Sequence, residues 1–478
     1  MCLRTTGGRH EAVQPRVPRS AHASTAPPLF NSPKYKYFLH NAKICGTITI
    51  IICKEVKALQ IEYSERELAR GVTLKCIKDD KFKSNIVSIR LLTENSEKDL
   101  AALALLPSVL SYTNENYPSS SAMNCRLNEL YGASLFSSCG QRGDMYEISI
   151  SCEYILDKYT MGDKVACDSV GILIDCLIHP ALERGVFAEE DFNIRKNDLL
   201  DSIDGEINDK ISYALTLACE TVYEGEAASR RYYGSRDEVR ALTPERVFDV
   251  YKRVLATARV EVIFAGGGDF DSQTRLFDGI FKDRISPPIR YYSYSKIKPE
   301  AVYAENVLDV SQANMVLAFK TDYYNHFANR VMSAIYGAGY SKLFENVRER
   351  LSLCYFCDAT YSEVKGTMSV VSAVDFDKIG LAQDEIIRQL SLVAQGDFTD
   401  DELTDKKHQI AVALRSSYDS VSALLSWYYL CTLRGEVMTI DEYIDLIQSV
   451  TRDEIIAAAN SMKLDTVFVL KGGESEND

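Results

Sequence analysis

Two side chains near the start of the second half of the chain have the types and spacing for oxyanion chemistry. They lie in Ser341-Lys-Leu-Phe-Glu-Asn-Val-Arg348-Glu-Arg-Leu-Ser-Leu-Cys-Tyr355-Phe356. Ser341 can cap a helix whose buried side is Leu343, Phe344 and Val347, and from Leu351 the apolar period shortens to two. A short helix therefore runs straight into a strand. Arg348 falls on the last helical turn and Tyr355 on the strand, so that a guanidinium and a phenol project into one cleft. Both donate hydrogen bonds suited to an oxyanion. The plainer alternatives are a surface ion pair of Arg348 with Glu345 or Glu349, and a core strand position for Tyr355.

Other chemistry-bearing residues are sparse. Cys354-Tyr-Phe-Cys357 lies in the expected strand, where residues three apart face opposite sides, so core or half-buried thiols are expected rather than a redox or metal pair. His10, His22 and His40 fall in an atypical leader. His179, His326 and His408 are isolated, which suits surface or structural roles. Asp198 and Asp201 share one helix and are expected to form a solvated or salt-bridged edge. Gly266-Gly-Gly268 does not precede a helix with phosphate-loop spacing.

The run from Leu343 to Tyr355 resembles the arginine–tyrosine segment in the C-terminal half of the pitrilysin/insulinase-like metallopeptidases, which include the mitochondrial processing peptidase subunits. The resemblance implies that Arg348 and Tyr355 hold and polarise a substrate carbonyl, while zinc sits on an inverted H-x-x-E-H helix in the N-terminal half. When the chain is registered on Tyr117-Pro118-Ser119 and the helix from Met123 to Tyr131, Ala104-Leu-Leu-Pro107-Ser108 stands at that motif. Arg195 and Ser202 stand at the distal glutamate positions. Zinc needs nitrogen, sulfur or carboxylate donors, and Ala104, Pro107, Ser108 and Ser202 supply none of the family's set. No cofactor is expected in this chain, and zinc is expected on a partner.

Length and composition bound the rest. A chain of 478 residues exceeds one ordinary core, and 46% hydrophobic with 26% charged residues is the composition of a soluble globular protein. A net charge of −14 argues against nucleic-acid and anionic-membrane binding. Thirteen cysteines, an odd number without metal-type spacing, fit a reducing, cytoplasmic compartment. The long apolar run from Ile44 to Cys53 is too short to span a bilayer.

Residues 1–58 differ from the remainder, with nine Lys or Arg against Glu11 and Glu55. Lys54-Glu55-Val56 can be encoded as a ribosome-binding sequence just ahead of Leu59, a possible TTG start. The leader is therefore expected to be translated upstream sequence in a bacterial gene, with a transit peptide or a disordered extension as alternatives.

From Leu59 the same element order occurs twice. Strands at Val72–Cys76 and Asn85–Leu92 precede an all-apolar helix from Asp99 to Leu110, then a hairpin from Ala133 to Cys152 turning at Gly140–Gly143. Helices follow at Val165–Ile178, Glu189–Ile207, Ile211–Tyr223 and Thr243–Leu255, and a strand at Val260–Ala265. After a linker, strands at Asn306–Asp309 and Ala313–Phe319, helices at Tyr324–Tyr336 and Ser341–Arg350, a hairpin at Leu351–Val374, helices opened by Thr399 and Thr451, and a strand at Thr466–Leu470 repeat it. The expected divisions are 1–58, 59–270, a linker over 271–302, and 303–478. With the resemblance, the expected class is α+β. It comprises two homologous halves of the LuxS/mitochondrial-processing-peptidase-like metallohydrolase fold, each a mixed, mainly antiparallel sheet covered by helices.

The lost zinc motif, together with Phe82-Lys-Ser, Tyr117-Pro118-Ser119 and Tyr131-Gly132, resembles the non-catalytic bacterial member of a paired insulinase-like system associated with modification of elongation factor P. The implied function is a zinc-less subunit of a heterodimer. It would present Arg348 and Tyr355 to a peptide or unfolded segment beside a zinc-bearing partner. The alternatives are a peptide-binding or scaffold protein without chemistry and, last, an autonomous enzyme with Cys354 as nucleophile.

Overall fold

A computed structural model describes residues 61–95, 97–282, 284 and 293–472. The leader over 1–58 lies outside the described residues.

The first half runs β1 (Glu62–Ala69), β2 (Val72–Lys78), β3 (Ser84–Glu94), α1 (Leu100–Ser111), α2 (Ser120–Glu129), β4 (Ser134–Arg142), β5 (Met145–Ile155) and α3 (Val165–Ile178). It continues with the short pair β6 (Leu182–Glu183) and β7 (Val186–Phe187), then α4 (Glu189–Gly205), α5 (Lys210–Val222), α6 (Arg236–Arg240), α7 (Pro244–Thr257), β8 (Arg259–Gly266) and α8 (Asp271–Arg275). The second half runs β9 (Val302–Val307), β10 (Ala313–Lys320), α9 (His326–Gly337), a π-helix (Phe344–Arg350), β11 (Cys354–Ser362) and β12 (Thr367–Val374). Then come α10 (Ile379–Ala394), α11 (Asp400–Arg415), α12 (Val421–Arg434), α13 (Ile440–Ser449), α14 (Arg452–Ser461) and β13 (Lys463–Lys471).

The two main sheets have one topology. The first is ordered β1-β2-β8-β3-β5-β4 and the second β9-β13-β10-β12-β11, so β2, β8, β3, β5 and β4 correspond to β9, β13, β10, β12 and β11. In each sheet one pair is parallel, β2 with β8 and β13 with β9, and the others are antiparallel. The fold class is thus the expected mixed, mainly antiparallel one in two related halves. Among the described residues β1 has no counterpart in the second sheet. Its Glu- and Arg-rich sequence carries little apolar alternation, which hid it from periodicity.

Each sheet is covered on both faces, and one cover comes from the other half. Val72, Leu74, Val87, Ile89, Val260 and Val262 pack with α1, α3 and α7 in one core. Ile77, Ile86, Leu92, Ile263 and Ala265, on the reverse face, belong to the core of the second half, where α12 crosses β2, β3 and β8. Reciprocally, Ala214, Leu217 and Ala218 of α5 pack on Val316, Phe468 and Leu470 of the second sheet. Strands buried on both faces carry nearly continuous apolar runs with a few charges that must be paired.

Those charges sit under the exchanged helices. Lys75 and Glu261, both almost fully buried, pair at 2.9 Å, and Lys75 also donates to Thr432 of α12. Glu147 accepts from Arg90 at 2.6 Å, from Arg142 at 2.8 Å and from the Tyr429 hydroxyl of α12 at 2.9 Å. Under α5, Asp465 pairs with Lys320 and Lys298, whose ammonium groups also donate to Val222 and Thr221 carbonyls. Lys365 bridges Asp144 and Glu226 across the halves.

Several sequence expectations need correction. The strand expected over Asn306–Asp309 is Val302–Val307, because parallel pairing with β13 recruits the earlier residues. The Gly140–Gly143 turn is shorter, since β4 runs through Arg142 against β5 and the chain reverses at Gly143-Asp144. The linker is shorter at its start than 271–302, because Phe277 and Phe281 are buried in the first core.

The Lys75–Glu261 pair generates a stability prediction. Glu261→Ala leaves a buried ammonium without its carboxylate and is expected to cost about 3–5 kcal/mol in urea unfolding, whereas Lys75→Met with Glu261→Leu restores stability to near the parent value. A loss below about 1 kcal/mol for the single change would refute this. For Glu147, burial opposes ionisation, but Arg90, Arg142 and the hydrogen bonds from Arg142 and Tyr429 outweigh it and hold the carboxyl below its ordinary value of 4.5. A depressed folded value means stabilisation that is present at neutral pH and lost as pH falls below about 4.5. Glu147→Gln is expected to flatten the acid limb of a stability–pH curve, and an unchanged limb would contradict this role.

Candidate functional site

The Arg348–Tyr355 segment is built on a helix that widens and then breaks. Ser341 caps the turn through its hydroxyl, which accepts from the Phe344 amide at 3.3 Å, and Leu343 and Val347 are fully buried. The last turns are π-helical, and the Leu351 amide reaches the Asn346 carbonyl at 3.2 Å. Single π turns concentrate at functional sites because the wider turn re-aims side chains. Ser352, at φ 49°, takes the left-handed conformation that ends the helix, and β11 begins at Cys354 rather than Leu351. Gly337, at the end of α9, lets the helix press on β11, since a Cβ there would lie 2.3 Å from the Ala359 Cβ.

This frame brings the two expected residues together. The Arg348 guanidinium lies over the Tyr355 ring at 5.3 Å and over the Phe344 ring at 4.8 Å, and Tyr340 packs on Phe344 at 5.4 Å. The Arg348 Nε also pairs with Glu349 at 3.3 Å, so the ion-pair alternative is realised alongside the stack. Tyr355 is 79% exposed and is no core aromatic. The pair sits on open surface. Larger clefts lie elsewhere, one of about 700 Å³ lined by Asp204, Tyr213, Arg231 and Tyr233 and one of about 920 Å³ between Asn208–Ile211 and Asp309–Asn314.

The cysteines beside the pair are half-buried and buried, as expected, but they do not face opposite sides. β11 and β12 slip by one residue between Cys354 and Cys357, so that Cys354 lies opposite Val374 and Cys357 opposite Ser372. Val374 and Ser372 are two apart and share a face, and the β-bulge therefore puts both thiols on the core face. The rule that residues three apart face opposite sides fails because Tyr355 and Phe356 occupy the place of one residue.

Of the residues expected at the zinc motif, Ala104 and Pro107 lie in the core and Ser108 at its margin. α1 is apolar all round, Ala104 and Pro107 are buried, and the Ser108 hydroxyl donates to the Leu105 carbonyl at 2.8 Å. Cys139 donates to the Ala104 carbonyl at 3.5 Å. Ser202 is exposed on α4, while Arg195 pairs with Asp198 at 3.0 Å and stacks on Tyr112 at 3.8 Å. Asp198 is thus the salt-bridged edge expected of it. These residues do not fit zinc, and no cluster of three His, Cys, Asp or Glu suited to a metal occurs among the described residues.

Sequence reasoning passed over α12, whose Tyr429 and Thr432 join the halves. Ser420, the N-cap whose hydroxyl accepts from the Ala423 amide, and left-handed Gly435 at its end were the signals available.

Comparison with known proteins agrees with this geometry. Residues 241–410 match the model of the Peptidase M16 inactive domain. The chain is 24% identical over 413 residues to a Bacillus subtilis (strain 168) protein described as the probable inactive metalloprotease YmfF, covering 84% of this chain and 96% of that protein. A conserved protein from Enterococcus faecalis V583 superposes with a TM-score of 0.82 at 26% identity, over 87% of this chain and 100% of that one. The peptidase M16 inactive domain from Pseudomonas fluorescens superposes at 0.70 with 15% identity, over 87% of this chain and 100% of that one. With its paired sheets, its Arg–Tyr segment and its donor-free α1, the chain is similar to pitrilysin/insulinase-like peptidases, M16, and to relatives of that kind described as inactive.

Proposed function

We propose that this chain is the non-catalytic subunit of a heteromeric insulinase-like peptidase and lends Arg348 and Tyr355 to the active site of a zinc-bearing partner. The observation that carries this reading is the stacked, solvent-facing pair of Arg348 on the π-helix and Tyr355 on β11, in a chain whose own α1 has no metal donors. A cationic fork and a neutral phenol held in one orientation stabilise negative charge on a carbonyl oxygen without reorganising at the moment of reaction. The stack on Phe344 limits the rotamers of Arg348, which lowers the entropy lost on engaging a peptide. β4 and β11 each form one edge of their sheets, as β1 and β9 form the other, and an edge strand offers backbone groups to an extended peptide. Activation of the attacking water belongs to the partner.

A bacterial, cytoplasmic setting and a place in the paired system associated with elongation factor P belong to the same reading. No helix among the described residues is long and apolar enough to cross a membrane. Of the residues that suggest the paired system, Ser119 caps α2 and the Tyr131 hydroxyl donates to Asp163 at 2.8 Å. The Arg348–Glu349 ion pair favours the second reading, a peptide-binding or scaffold protein in which the arginine serves only the fold.

Three measurements separate these readings. The isolated chain is expected to hold far less than one zinc by elemental analysis, and stoichiometric zinc would overturn the non-catalytic assignment. The tagged full chain, recovered from its native cell, is expected to bring an H-x-x-E-H protein at near one to one. In that complex Arg348→Ala is expected to lower peptide turnover about 10²–10³-fold with recovery unchanged. Recovery of the chain alone would sink the shared site, and unchanged turnover would leave the scaffold reading.

A further inference from the structure

The bulge in β11 places two thiols where strand geometry would separate them. Cys354 is half-buried, Cys357 is 4% exposed, and both belong to the side of the sheet facing the second core. Ser372, opposite Cys357, is fully buried and donates to the Phe356 carbonyl at 2.9 Å, which pins the two residues between the thiols. Ser372 favours the thiolate of either cysteine, and the neighbouring Cys357 thiol favours that of Cys354 while Cys357 itself is raised.

Charges around the pair favour ionisation of Cys354. The Cys357 thiol leads, burial opposes it, and Ser372 and the nearby Arg348 guanidinium add to it against Asp358, bringing Cys354 down to about 7. From α9, which packs on this strand as the π-helix and β12 do, the buried Tyr336 hydroxyl donates to the Ile386 carbonyl, and burial and Cys357 hold it neutral. Elsewhere burial pushes Cys76 and Cys139 up to about 11 and Cys176 to about 12.

We propose that Cys354 and Cys357 form a reactive dithiol site that exchanges with low-molecular-weight disulfides and closes to an intramolecular disulfide across the bulge. The half-buried Cys354 thiolate attacks one sulfur of the small disulfide, forming a mixed disulfide as the S–S bond breaks and one small thiolate leaves. That thiolate takes the proton of Cys357, whose sulfur then attacks the Cys354 sulfur and expels the second small thiolate, protonated by water. Two protein thiols are oxidised and one small disulfide is reduced to two thiols. The loop so closed contains Tyr355 and Phe356, so its redox state sets the backbone that carries Tyr355 beside Arg348. The site stands on the bulge register and does not depend on a role for Arg348 in peptide cleavage.

The full chain, incubated with oxidised glutathione at pH 7 and mapped by mass spectrometry after blocking free thiols, tests this. The expected product is a Cys354–Cys357 peptide lighter by two hydrogens and restored by dithiothreitol, with Cys357→Ser trapping glutathione on Cys354. Iodoacetamide is expected to modify Cys354 about threefold faster than an ordinary exposed thiol at this pH, because a larger thiolate fraction is partly offset by lower nucleophilicity. Exposed Cys125 is the internal reference. Persistent glutathione on Cys354 in the unsubstituted chain would overturn ring closure, and a Cys354 slower than Cys125 would overturn the reactive site. The unsubstituted chain supplies both readouts even where a serine variant fails to fold.

Discussion

The structure depends on the burial of charge beneath two exchanged helices. Neither sheet is finished by its own half. α12 closes the reverse face of the first sheet and α5 that of the second, each over strands that carry Lys75, Glu261, Glu147, Lys320 or Asp465. An ion in an apolar interior is costly unless its partners are fixed, so the helices must dock in one register for Tyr429 to reach Glu147 and for the Val222 carbonyl to reach Lys320. Buried pairs add little net stability over apolar contacts, but they penalise misdocking heavily. The relative placement of the halves, and with it any cleft between them, follows from that penalty.

The same logic accounts for the two ends of the candidate site. In the first half, Ala104 and Pro107 are buried in the apolar α1, and carbonyls of that helix accept from Cys139 and Ser108. Nothing at that position needs an ion to balance it. In the second half the chain retains features that are costly to fold without a use. Ser352 has a left-handed backbone, the helix ends in π turns, the strand begins with a bulge, and Tyr355 stands in solvent. Departures from regular structure on this scale gather where side chains must be aimed.

Arg348 links the two proposals through simple electrostatics. One guanidinium stacks on Phe344 and Tyr355, pairs with Glu349, and lies near enough to Cys354 to favour its thiolate. A cation with several nearby acceptors is positioned by all of them, so a change in the charge of Cys354 alters the field at the same guanidinium that faces solvent.

Local order alone made much of this legible. Capping boxes at Thr399 and Thr451, the apolar α1 and the alternation through Met145–Cys152 report contacts within a few residues or simple one-face burial, so the doubled α+β plan and the missing metal donors could be read from the chain. The pairing of Arg348 with Tyr355 was legible as well, because a helix–strand junction constrains neighbours in sequence. Only the tertiary structure decided that β1 is a strand and that β9 spans Val302–Val307, since their register comes from partners far along the chain. It also decided that α12 crosses to the other half and that Cys354 and Cys357 share a face. Those outcomes depend on which surfaces meet and on one slipped residue between two strands. Neither periodicity nor spacing encodes such choices, because their energies arise only once the distant partner is in place.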